Sequence, residues 1–500
     1  MRARGHAKPA LADVSVLIVG AGPAGLMAAV ALARHGVECT LVERRRDISS
    51  LPRATAISTR SMELLRAWGL EDEIRAGGTD VEWLQWYCET LAQAPSGDGR
   101  PTGFPTRAQS AVISPVGPAC VPQDHLEPVL LRHLRSLPAT RVEFGTEVVG
   151  VESGSDGIRA VLRDVAGGGA ARVIEARYLV AADGAHSAVR AALGIRMHGP
   201  DNLQEAVTAL FRAPLWKLAG EHRYGLYAIT HPEAEGVLLP AGRDDRWLYG
   251  ALPDGQRAQE LTAETLARRI RLASGDAALR PRIERIGRFT FAAQMAERFR
   301  SGSAFLVGDA AHRATPRGGT GMNTAIHDGY DLGWKLAWVL RGWAAPALLD
   351  SYEAERRPVS EHNVARSADP NGTARAAEQE LHADLGGRIA HTWVPSAGGR
   401  VSTLDLLQPG LTLLTGPQHE RWEAAAATVA PAVPLGVARL DAITARALGI
   451  RNTGALLARP DGTPASWLAH DSDAVPALRA AVRSATAHTS DRGLSTRQAA

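Results

Sequence analysis

The chain has 500 residues, 45% hydrophobic and 22% charged, a composition typical of a globular protein large enough for two or three domains. Its 56 Lys and Arg residues are scattered among 53 Asp and Glu residues, without the basic stripe that nucleic-acid binding requires. Cys39, Cys88 and Cys120 lie far apart in sequence, which argues against a disulfide framework, a cysteine zinc site or a dithiol redox centre and indicates a reducing, cytoplasmic setting.

The N-terminal region contains a charge-free stretch that is long enough to span a bilayer, at residues 14–33. The stretch includes "GAGPAG", with β-branched residues before it and alanines after it, so we predict a strand, a turn and a helix. The preceding "MRARGHAKPALADV" is basic but no apolar segment follows it directly, so no signal peptide is predicted. We therefore predict no contact with a membrane.

The first elements in chain order form a βαβ unit. "VSVLIVG" is predicted as a buried strand, "PAGLMAAVALARHG" as a helix closed by Gly36, and "VECTLVE" as a second, parallel strand. "STRSMELLRAWGLEDEIRAGG" is predicted as one amphipathic helix ending at Gly77 and Gly78. Residues 90–120 are rich in Gly, Pro and Ser and are predicted as loop with short strands.

The later elements indicate that one fold interrupts another. "HLEPVLLRHLRSL" is predicted as a helix, and "RVEFGTEVVGVESGSDGIRAVLRDV" after it as antiparallel strands. "ARYLVAADGAHSAVRAALG" is predicted as a strand, a turn and a helix. Residues 200–290 are strand-like with Tyr and Trp, which predicts a second domain dominated by a sheet. "GSAFLVGD" and "GMNTAIHDGYDLGWKLAWVLRG" then return to a buried strand and a long helix. A further α/β segment and a disordered tail follow.

The "GAGPAG" turn predicts a dinucleotide site. Gly20 permits the tight turn, Gly22 lets the backbone approach a pyrophosphate, and Gly25 lets the helix pack closely on the strand, while the helix N-terminus attracts the phosphates. Glu43 ends the second strand, where a carboxylate can accept hydrogen bonds from ribose hydroxyls. NAD(P) and FAD both use such a site, so this motif alone leaves the dinucleotide open.

The stretch "FLVGDAAHRATPRGGTGMN" distinguishes the two dinucleotides. Asp309 ends a buried strand, Gly318, Gly319 and Gly321 leave the backbone bare, and the helix from Met322 directs its N-terminus at the same place. NAD needs no second binding stretch so far downstream, whereas FAD has a ribityl chain and a flat ring that must be held. The sequence therefore predicts FAD.

The three motifs "GAGPAG", "ADGAHSAVR" and "GDAAHRATPRGGTGMN" resemble those of the class A flavoprotein aromatic monooxygenases, the p-hydroxybenzoate hydroxylase superfamily. "PRATAISTRSMELLRAWGL", "PQDHLEPVLLRHL" and "SYEAERRPVSEHN" are similar to the larger members, the phenol hydroxylases and the polyketide-tailoring aromatic hydroxylases. The resemblance covers about residues 12–370.

The resemblance implies an α/β fold in which a β-sheet substrate domain interrupts a Rossmann-like FAD-binding domain of the glutathione reductase type. The implied FAD-binding parts are residues 12–75, 116–198 and 289–394, and the implied substrate parts are residues 76–115 and 199–288. A thioredoxin-like C-terminal domain without cysteines is implied for residues 395–480, with a disordered tail over 481–500.

The resemblance also implies the roles of individual residues. Glu43 binds the adenosine ribose with Arg44 beside the adenine; Arg53 and Gln123 follow the pyrophosphate and ribityl chain; and Asp309 takes a ribityl hydroxyl. Met322 and Asn323 present backbone N–H groups to the flavin, and Asp183, Gly184 and Arg190 form the cofactor-binding motif associated with both FAD and NAD(P)H. Pro23, Ala24, Val148, Gly319 and Gly321 complete the predicted cofactor site. Pro316 is implied to lie where oxygen reacts, and Arg317 to reach the substrate or the coenzyme phosphates.

The substrate pocket is predicted less directly. Tyr224, Tyr227, Trp247 and Tyr249, on the strand-like stretch, are its candidate lining residues, and no catalytic base is identified. The sequence has no H-E-x-x-H zinc motif, no G-x-S-x-G elbow and no second G-x-G-x-x-G, so we predict no metal, no serine hydrolase and no separate NAD(P)H domain.

The implied function is an FAD-dependent monooxygenase that consumes NADPH or NADH and O2 and hydroxylates a phenolic or polycyclic aromatic substrate through a C4a-hydroperoxyflavin, in natural-product tailoring. Its partner is the small aromatic molecule, and the protein is a monomer or homodimer. Three alternatives stay open: a Baeyer–Villiger or ring-rearranging monooxygenase, a flavin dehydrogenase or oxidase, and a flavin-binding protein that captures a biosynthetic intermediate without hydroxylating it.

Overall fold

The first elements that the structure describes are the predicted strand, glycine turn and helix: β1 is Val14–Val19 and α1 is Pro23–Arg34. The computed structural model describes residues 13–50, 52–93, 99–138, 140–154, 157–167, 170–252, 261–396, 398–469 and 473–488. The chain divides into two units, residues 1–333 with 353–385 and residues 334–352 with 386–500.

The strands that follow β1 in the first unit are β2 (Cys39–Glu43), β3 (Ala56–Ile57), β4 (Glu82–Cys88), β5 (Arg100–Pro101), β6 (Ala119–Cys120), β7 (Thr140–Phe144), β8 (Thr146–Gly154), β9 (Gly157–Asp164), β10 (Arg172–Ala181), β11 (Met197–His198), β12 (Gln204–Arg212), β13 (Tyr224–Ile229), β14 (Gly236–Pro240), β15 (Arg246–Ala251), β16 (Arg282–Phe291), β17 (Gln294–Ala296), β18 (Arg300–Ser301), β19 (Ala304–Leu306) and β20 (His312–Arg313).

The helices that follow α1 are α2 (Thr59–Ala67), α3 (Glu71–Arg75), α4 (Arg107–Ile113), α5 (Gln123–Ser136), α6 (Ala188–Ala192), α7 (Trp216–Ala219), α8 (Ala263–Ser274), α9 (Gly321–Leu340), α10 (Asp350–Ala368) and α11 (Ala377–Leu385). The second unit adds β21 (Trp393–Ser396), β22 (Gly399–Ser402), β23 (Leu411–Thr415), α12 (Glu420–Val429), β24 (Leu435–Arg439), α13 (Ala442–Ala447), β25 (Ala455–Ala458), β26 (Pro464–Leu468) and α14 (Ala474–Ala485).

The three motifs "GAGPAG", "ADGAHSAVR" and "GDAAHRATPRGGTGMN" follow strands of one eight-stranded sheet. β1 pairs in parallel with β2 and β10, β2 pairs in parallel with β7, and β10 pairs in parallel with β19. Parallel strands need crossover connections, which accounts for α1 and α5 packing against one another. The carboxyl ends of β1, β2, β10 and β19 therefore meet at one edge of the sheet, where functional residues collect in such folds.

A seven-stranded sheet stands between these elements in sequence, in the order β16-β12-β15-β14-β13-β4-β5. One of its faces packs with α8 in a core that contains Phe211, Trp247 and Ile270. Its edge strand β16 continues to Phe291, beyond the predicted boundary at residue 288. β4 joins the sheet from far upstream by pairing in parallel with β13.

The second unit has a four-stranded sheet in the order β24-β23-β25-β26, in which only β23 and β24 are parallel. Leu414, Ala445 and Leu456 lie in its core. α14 continues to Ala485, so the predicted disordered tail over 481–500 is wrong for its first five residues; residues 489–500 lie outside the described part of the chain.

Two local predictions are wrong. The single helix expected up to Gly77 is two helices, α2 and α3, because Gly69 between them has φ of +77° and ends the first. Residues 90–120, expected to be loop with short strands, also contain the helix α4. A capping box formed by Thr106 and Gln109 stabilises the start of this helix.

The expected strand, turn and helix over residues 14–33 are confirmed by β1 and α1. Among the helices that the structure describes, none combines the length and apolar character that crossing a membrane requires.

The tight packing of α1 on its strand yields a prediction. A Cβ on Gly25 would lie 2.0 Å from the carbonyl oxygen of Gly20, so Gly25→Ala must push α1 away and should lower the free energy of unfolding by about 3 kcal/mol. A Cβ on Gly22 would meet no atom within 4 Å, so Gly22→Ala is the control and should cost less than about 1 kcal/mol. Equal denaturant midpoints for both variants would contradict this close packing.

Candidate active site

The glycine turn between β1 and α1 lies at one end of a large cavity. Gly20 has φ of +107°, and a Cβ there would lie 2.3 Å from the carbonyl oxygen of Ala182, so only glycine fits. Gly22 has open space beside it, and Pro23 begins α1, where a missing N–H costs nothing. The backbone is therefore bare at a helix N-terminus, as a phosphate site requires.

Glu43 ends β2 beside this turn and is ionised. Its buried carboxylate accepts hydrogen bonds from the Ala21 N–H and from the N–H and Nε of Arg45, each at 2.9 Å. Burial opposes the charge, but these bonds and the Arg45 guanidinium outweigh it and hold the pKa of Glu43 below its ordinary value. The sequence analysis named Arg44, which is exposed at the cavity edge, and missed Arg45.

Arg53 and Gln123 line the cavity as predicted, with a buried acid that the sequence analysis missed. The Gln123 Nε2 donates to Oε1 of Glu127 at 2.6 Å, one helical turn along α5. Within the described residues, Oε2 of Glu127 has no hydrogen-bond partner. Burial raises the pKa of Glu127 to about 7, although Gln123, Arg45 and Arg53 act to lower it. The i, i+4 spacing from Gln123 was the available signal.

The "ADGAHSAVR" motif follows β10 and divides into two roles. Asp183 and Gly184 line the cavity, and Asp183 accepts a hydrogen bond from the Ser187 hydroxyl at 2.5 Å. Arg190 does not line the cavity; its Nη1 donates instead to the carbonyl of Ala310 at 3.1 Å. Arg190 thus ties this motif to the loop after β19, and its predicted contact with the cofactor stays a prediction.

Asp309 follows β19 and is exposed to the cavity, with protein atoms surrounding it on its other sides. Burial raises the pKa of Asp309 above its ordinary value, against the attraction of His312 and of nearby arginines. A carboxyl group in this position can accept or donate a hydrogen bond to a sugar-like hydroxyl.

Asp328, on α9, anchors the loop that carries Asp309. Its carboxylate is fully buried and accepts hydrogen bonds from the Gly308 N–H at 3.1 Å, from His312 Nε2 at 2.6 Å and from Arg356 Nε at 2.8 Å. Burial opposes its charge, but His312 and Arg356 outweigh it and hold the pKa of Asp328 well below its ordinary value. The backbone directly before Asp309 is therefore fixed by an ionised group.

The glycine-rich loop before α9 lines the same cavity as the glycine turn after β1. Gly318 and Gly319 have φ of +79° and +64°, which side chains with a Cβ rarely adopt. Gly319, Gly321 and Met322 line the cavity, and α9 begins at Gly321 with its N-terminus there. A partial positive charge is expected at this helix end.

The side chain of Asn323 clamps this loop and does not line the cavity. Its Oδ1 accepts hydrogen bonds from the Ser58 N–H at 2.8 Å and the Ser61 hydroxyl at 2.9 Å, and its Nδ2 donates to the carbonyls of Gly319 at 2.9 Å and Ala56 at 3.0 Å. All four hydrogen-bonding positions of the amide are used, so this side chain holds the Gly319 backbone in place.

Pro316 and Arg317 line the cavity where the glycine-rich loop meets the seven-stranded sheet. Pro316 is exposed to the cavity. The Arg317 Nη2 donates to Gln204 Oε1 at 3.1 Å, and the guanidinium lies 5.3 Å from the ring centroid of Phe291. A positive charge is thus present beside the flat surface of the loop.

The four aromatic residues predicted to line the substrate pocket do not line it. Tyr224 packs against the core on the other face of the sheet, and Tyr227, Trp247 and Tyr249 lie within that core. Tyr227 donates its hydroxyl to the His222 carbonyl at 2.6 Å. Burial raises the pKa of Tyr227 and of Tyr249. Trp247 and Tyr249, two residues apart, share the face of their strand that packs in this core. Tyr224 and Tyr227 are three residues apart, and an irregularity in strand register between Tyr224 and Leu226 accompanies the contact of Tyr224 with the same core.

The cavity has a volume of about 2150 Å³ and belongs entirely to the first unit. It brings together most of the residues that the sequence analysis named, namely Gly20, Gly22, Pro23, Ala24, Glu43, Arg44, Arg53, Gln123, Val148, Asp183, Gly184, Asp309, Pro316, Arg317, Gly319, Gly321 and Met322. It does not include Gly25, Arg190, Asn323, Tyr224, Tyr227, Trp247 or Tyr249.

Comparison with known proteins gives matches over nearly the whole chain. The FAD binding domain model matches residues 13–367, and the model of the aromatic-ring hydroxylase C-terminal domain matches residues 382–488. Tetracenomycin A2 monooxygenase-dioxygenase of Streptomyces glaucescens is 34% identical, covering 96% of this chain and 98% of the relative. Aklavinone 12-hydroxylase DnrF of Streptomyces peucetius is 36% identical, covering 82% and 93%.

Among solved structures, the ternary complex of aklavinone-11 hydroxylase with FAD and aklavinone is similar to this chain with a TM-score of 0.85 and 32% identity. The match covers 95% of this chain and 99% of that one. The similarity therefore extends over both units of the chain.

The buried acid Glu127 predicts an unusual pH dependence of stability. In the unfolded chain its carboxyl group ionises near 4.5, and in the folded chain only near 7, so wild-type stability falls between these two values as pH rises. Glu127→Gln removes this loss and should be more stable relative to wild type at pH 8 than at pH 4.5, by about 2 kcal/mol. Urea unfolding at both pH values measures this difference.

Glu38→Gln, at an exposed position, is the control for this measurement. A stability difference for Glu127→Gln that is the same at both pH values would show that the carboxyl group of Glu127 titrates normally.

Proposed function

The chain belongs to the FAD-dependent aromatic-ring hydroxylases, and from this premise we propose that it hydroxylates a phenolic or polycyclic aromatic molecule, using NADPH or NADH and O2, in the tailoring of an aromatic natural product. The observation that carries the proposal is one continuous cavity. It is lined by the glycine turn, Glu43, Asp309 and the glycine-rich loop, and also by one face of the seven-stranded sheet, whose strands β13, β14 and β15 contribute apolar residues.

The chemistry of the residues present fits FAD. Glu43 is ionised and faces the cavity beside bare backbone, as a ribose site requires, and Asp309 suits a ribityl hydroxyl. Arg53 supplies positive charge for a pyrophosphate, and the N-terminus of α9 supplies partial positive charge for the ring. We assign the predicted cofactor roles to the cavity-lining members of the set, and positioning roles to Gly25, Arg190 and Asn323.

When bound, FAD would accept hydride from the nicotinamide coenzyme and activate O2 for transfer to the substrate ring. The chain's own contribution is to hold the substrate ring between the glycine-rich loop and the seven-stranded sheet. Pro316 lies where this loop meets the sheet. The apolar residues of this sheet face exclude water from this place, which limits loss of reducing equivalents to side reactions.

Arg317 is the residue we propose to act on the substrate. Hydroxylation needs an electron-rich ring, and a phenol becomes electron-rich when it loses its proton. The Arg317 guanidinium uses one Nη for Gln204 and lies at the cavity surface, where it can stabilise the phenolate oxygen. The cation lowers the pKa of the bound phenol, and no protein base is required for that effect.

We propose that the remaining architecture follows the family. The parallel sheet would form a Rossmann-like FAD-binding domain from residues 12–75, 116–198 and 289–394, and the seven-stranded sheet a substrate domain from residues 76–115 and 199–288. Residues 395–480 would form a thioredoxin-like domain, whose lack of cysteine leaves a structural or dimer-stabilising role. The three cysteines of the chain are unpaired, which suits a cytoplasmic monomer or homodimer.

The first test of this function is reduction of the purified yellow protein by NADPH or NADH without oxygen, with and without phenols and anthraquinones, followed by admission of labelled O2. We expect loss of the flavin colour, faster with a substrate, and one labelled oxygen atom in the product ring by mass spectrometry.

Other outcomes identify other functions. Oxygen inserted between two carbon atoms indicates a Baeyer–Villiger enzyme, and product without labelled oxygen indicates a dehydrogenase or oxidase. A bound flavin that neither coenzyme reduces, together with tight ligand binding, indicates capture of an intermediate. Protein that cannot be reconstituted with FAD contradicts the proposal entirely.

The role of Arg317 predicts a change in rate and in pH dependence. Arg317→Met should lower kcat for a phenolic substrate at least about 10-fold, and its pH optimum should move upward, because the phenol then ionises only at higher pH. Arg317→Lys should recover part of the rate. Arg282→Met, on the exposed edge of β16, is the control. An unchanged pH profile for Arg317→Met would refute the role in phenolate stabilisation.

A further inference from the structure

The part of the cavity lining that comes from strands β13, β14 and β15 is apolar, and it includes Leu226, Ala228, Val237, Leu239 and Leu248. The neighbouring strands β12 and β16 also contribute polar and charged residues, namely Gln204, Glu205, Thr208, Arg285, Arg288 and Thr290. Trp83, Gln85 and Tyr87 alternate along β4 and also line the cavity, while Trp86 between them packs in the core on the other face. Gln85 is thus a polar side chain between two aromatic residues of β4 and beside the apolar strand β13.

Gln85 is deeply buried, with an exposed fraction of 1%. Its Nε2 donates to the carbonyl of Pro101 on the neighbouring strand at 3.3 Å, and this bond fixes which end of the amide is the nitrogen. Across the described part of the chain, no group donates a hydrogen bond to the Gln85 Oε1. This oxygen atom remains accessible to solvent. Because Gln85 lines the cavity and is otherwise enclosed, its Oε1 can be satisfied only from the cavity, by a water molecule or a ligand.

The neighbours of Gln85 show what kind of ligand fits. Trp83, two residues before it, packs against Phe104 with ring centroids 4.7 Å apart, and the Thr102 hydroxyl donates to the Trp83 carbonyl at 2.9 Å. Phe104 in turn contacts the glycine-rich loop: a Cβ on Gly319 would lie 3.3 Å from its ring. A row of aromatic surface therefore leads from the loop to Gln85, which lies ~7 Å beyond Trp83 along the strand.

We propose that Gln85 is a specificity residue whose Oε1 accepts a hydrogen bond from a hydroxyl group of a flat, multi-ring substrate lying along β4. The inference rests on the proposed function and adds the position of the recognised group. One ring of the substrate lies beside Phe104 and the glycine-rich loop, where it reacts, and the recognised hydroxyl is on a ring farther out. Leu226, opposite Gln85 on β13, supplies apolar contact to the same ring.

The proposal predicts that the loss of binding depends on the ligand's hydroxyl groups. The probes are 1,8-dihydroxyanthraquinone and anthraquinone, which lacks both hydroxyls, and their Kd values are measured on the FAD-loaded protein by flavin fluorescence. Gln85→Met keeps the size of the side chain and removes the acceptor, so Kd for the dihydroxy compound should rise about 5- to 10-fold. Kd for anthraquinone should change less than about twofold.

Gln85→Asn is the second variant, because it retains an amide but withdraws it from the ligand, and it should show the same selective loss. Gln93→Met, at an exposed position, is the control. Flavin content and thermal unfolding establish that each variant is folded. Equal losses for both probes, or no loss for either, would overturn the role of Gln85 and leave the proposed function intact. A wild-type protein that binds neither probe and oxidises NADPH at a rate that no aromatic compound changes would overturn both.

Discussion

The cavity depends on one buried charge, the carboxylate of Asp328. An ionised group without exposure to water is stable only when several donors surround it, and in this protein the donors come from the loop after β19, from β20 and from α10. The demand for these donors therefore fixes the loop after β19 and the adjacent strand β20 to α10, which lies farther along the chain. Because Asp328 is on α9, the N-terminus of that helix and the glycine-rich loop before it are placed by the same interaction.

The cofactor end of the cavity was largely predictable because its chemistry depends on backbone geometry that is local in sequence. Gly20 is required by a positive φ and a close carbonyl, and Glu43 by its place at the end of a strand. Such requirements produce motifs that can be recognised in a short stretch of sequence. The role of Arg45 could not be recognised in this way, because a run of three arginines does not show which one turns toward Glu43. The role of Glu127 could not be recognised either, because a lone acidic residue on an amphipathic helix is usually exposed.

The substrate end was predicted on the wrong face for a physical reason. Both faces of the seven-stranded sheet are covered, one by a core and one by the cavity, so hydrophobic alternation does not separate them. Tyr227 and Trp247 are large and suit ligand contact, but large residues also fill a core well. Likewise, Gly69 ends a helix whose apolar spacing continues past it, since a backbone turn overrides periodicity.

The two faces of the seven-stranded sheet also bear on how such a protein can diverge. The larger core lies on one face and the cavity on the other, so replacements at cavity positions such as Ala206 and Ala228 can alter ligand contact while that core stays unchanged. Not every position is independent: a Cβ on Gly287 would lie 2.9 Å from the Thr208 hydroxyl, and one on Gly250 would lie 3.0 Å from Val237. At those two sites, we expect a replacement of the glycine during evolution to be accompanied by a replacement of its neighbour on the adjacent strand.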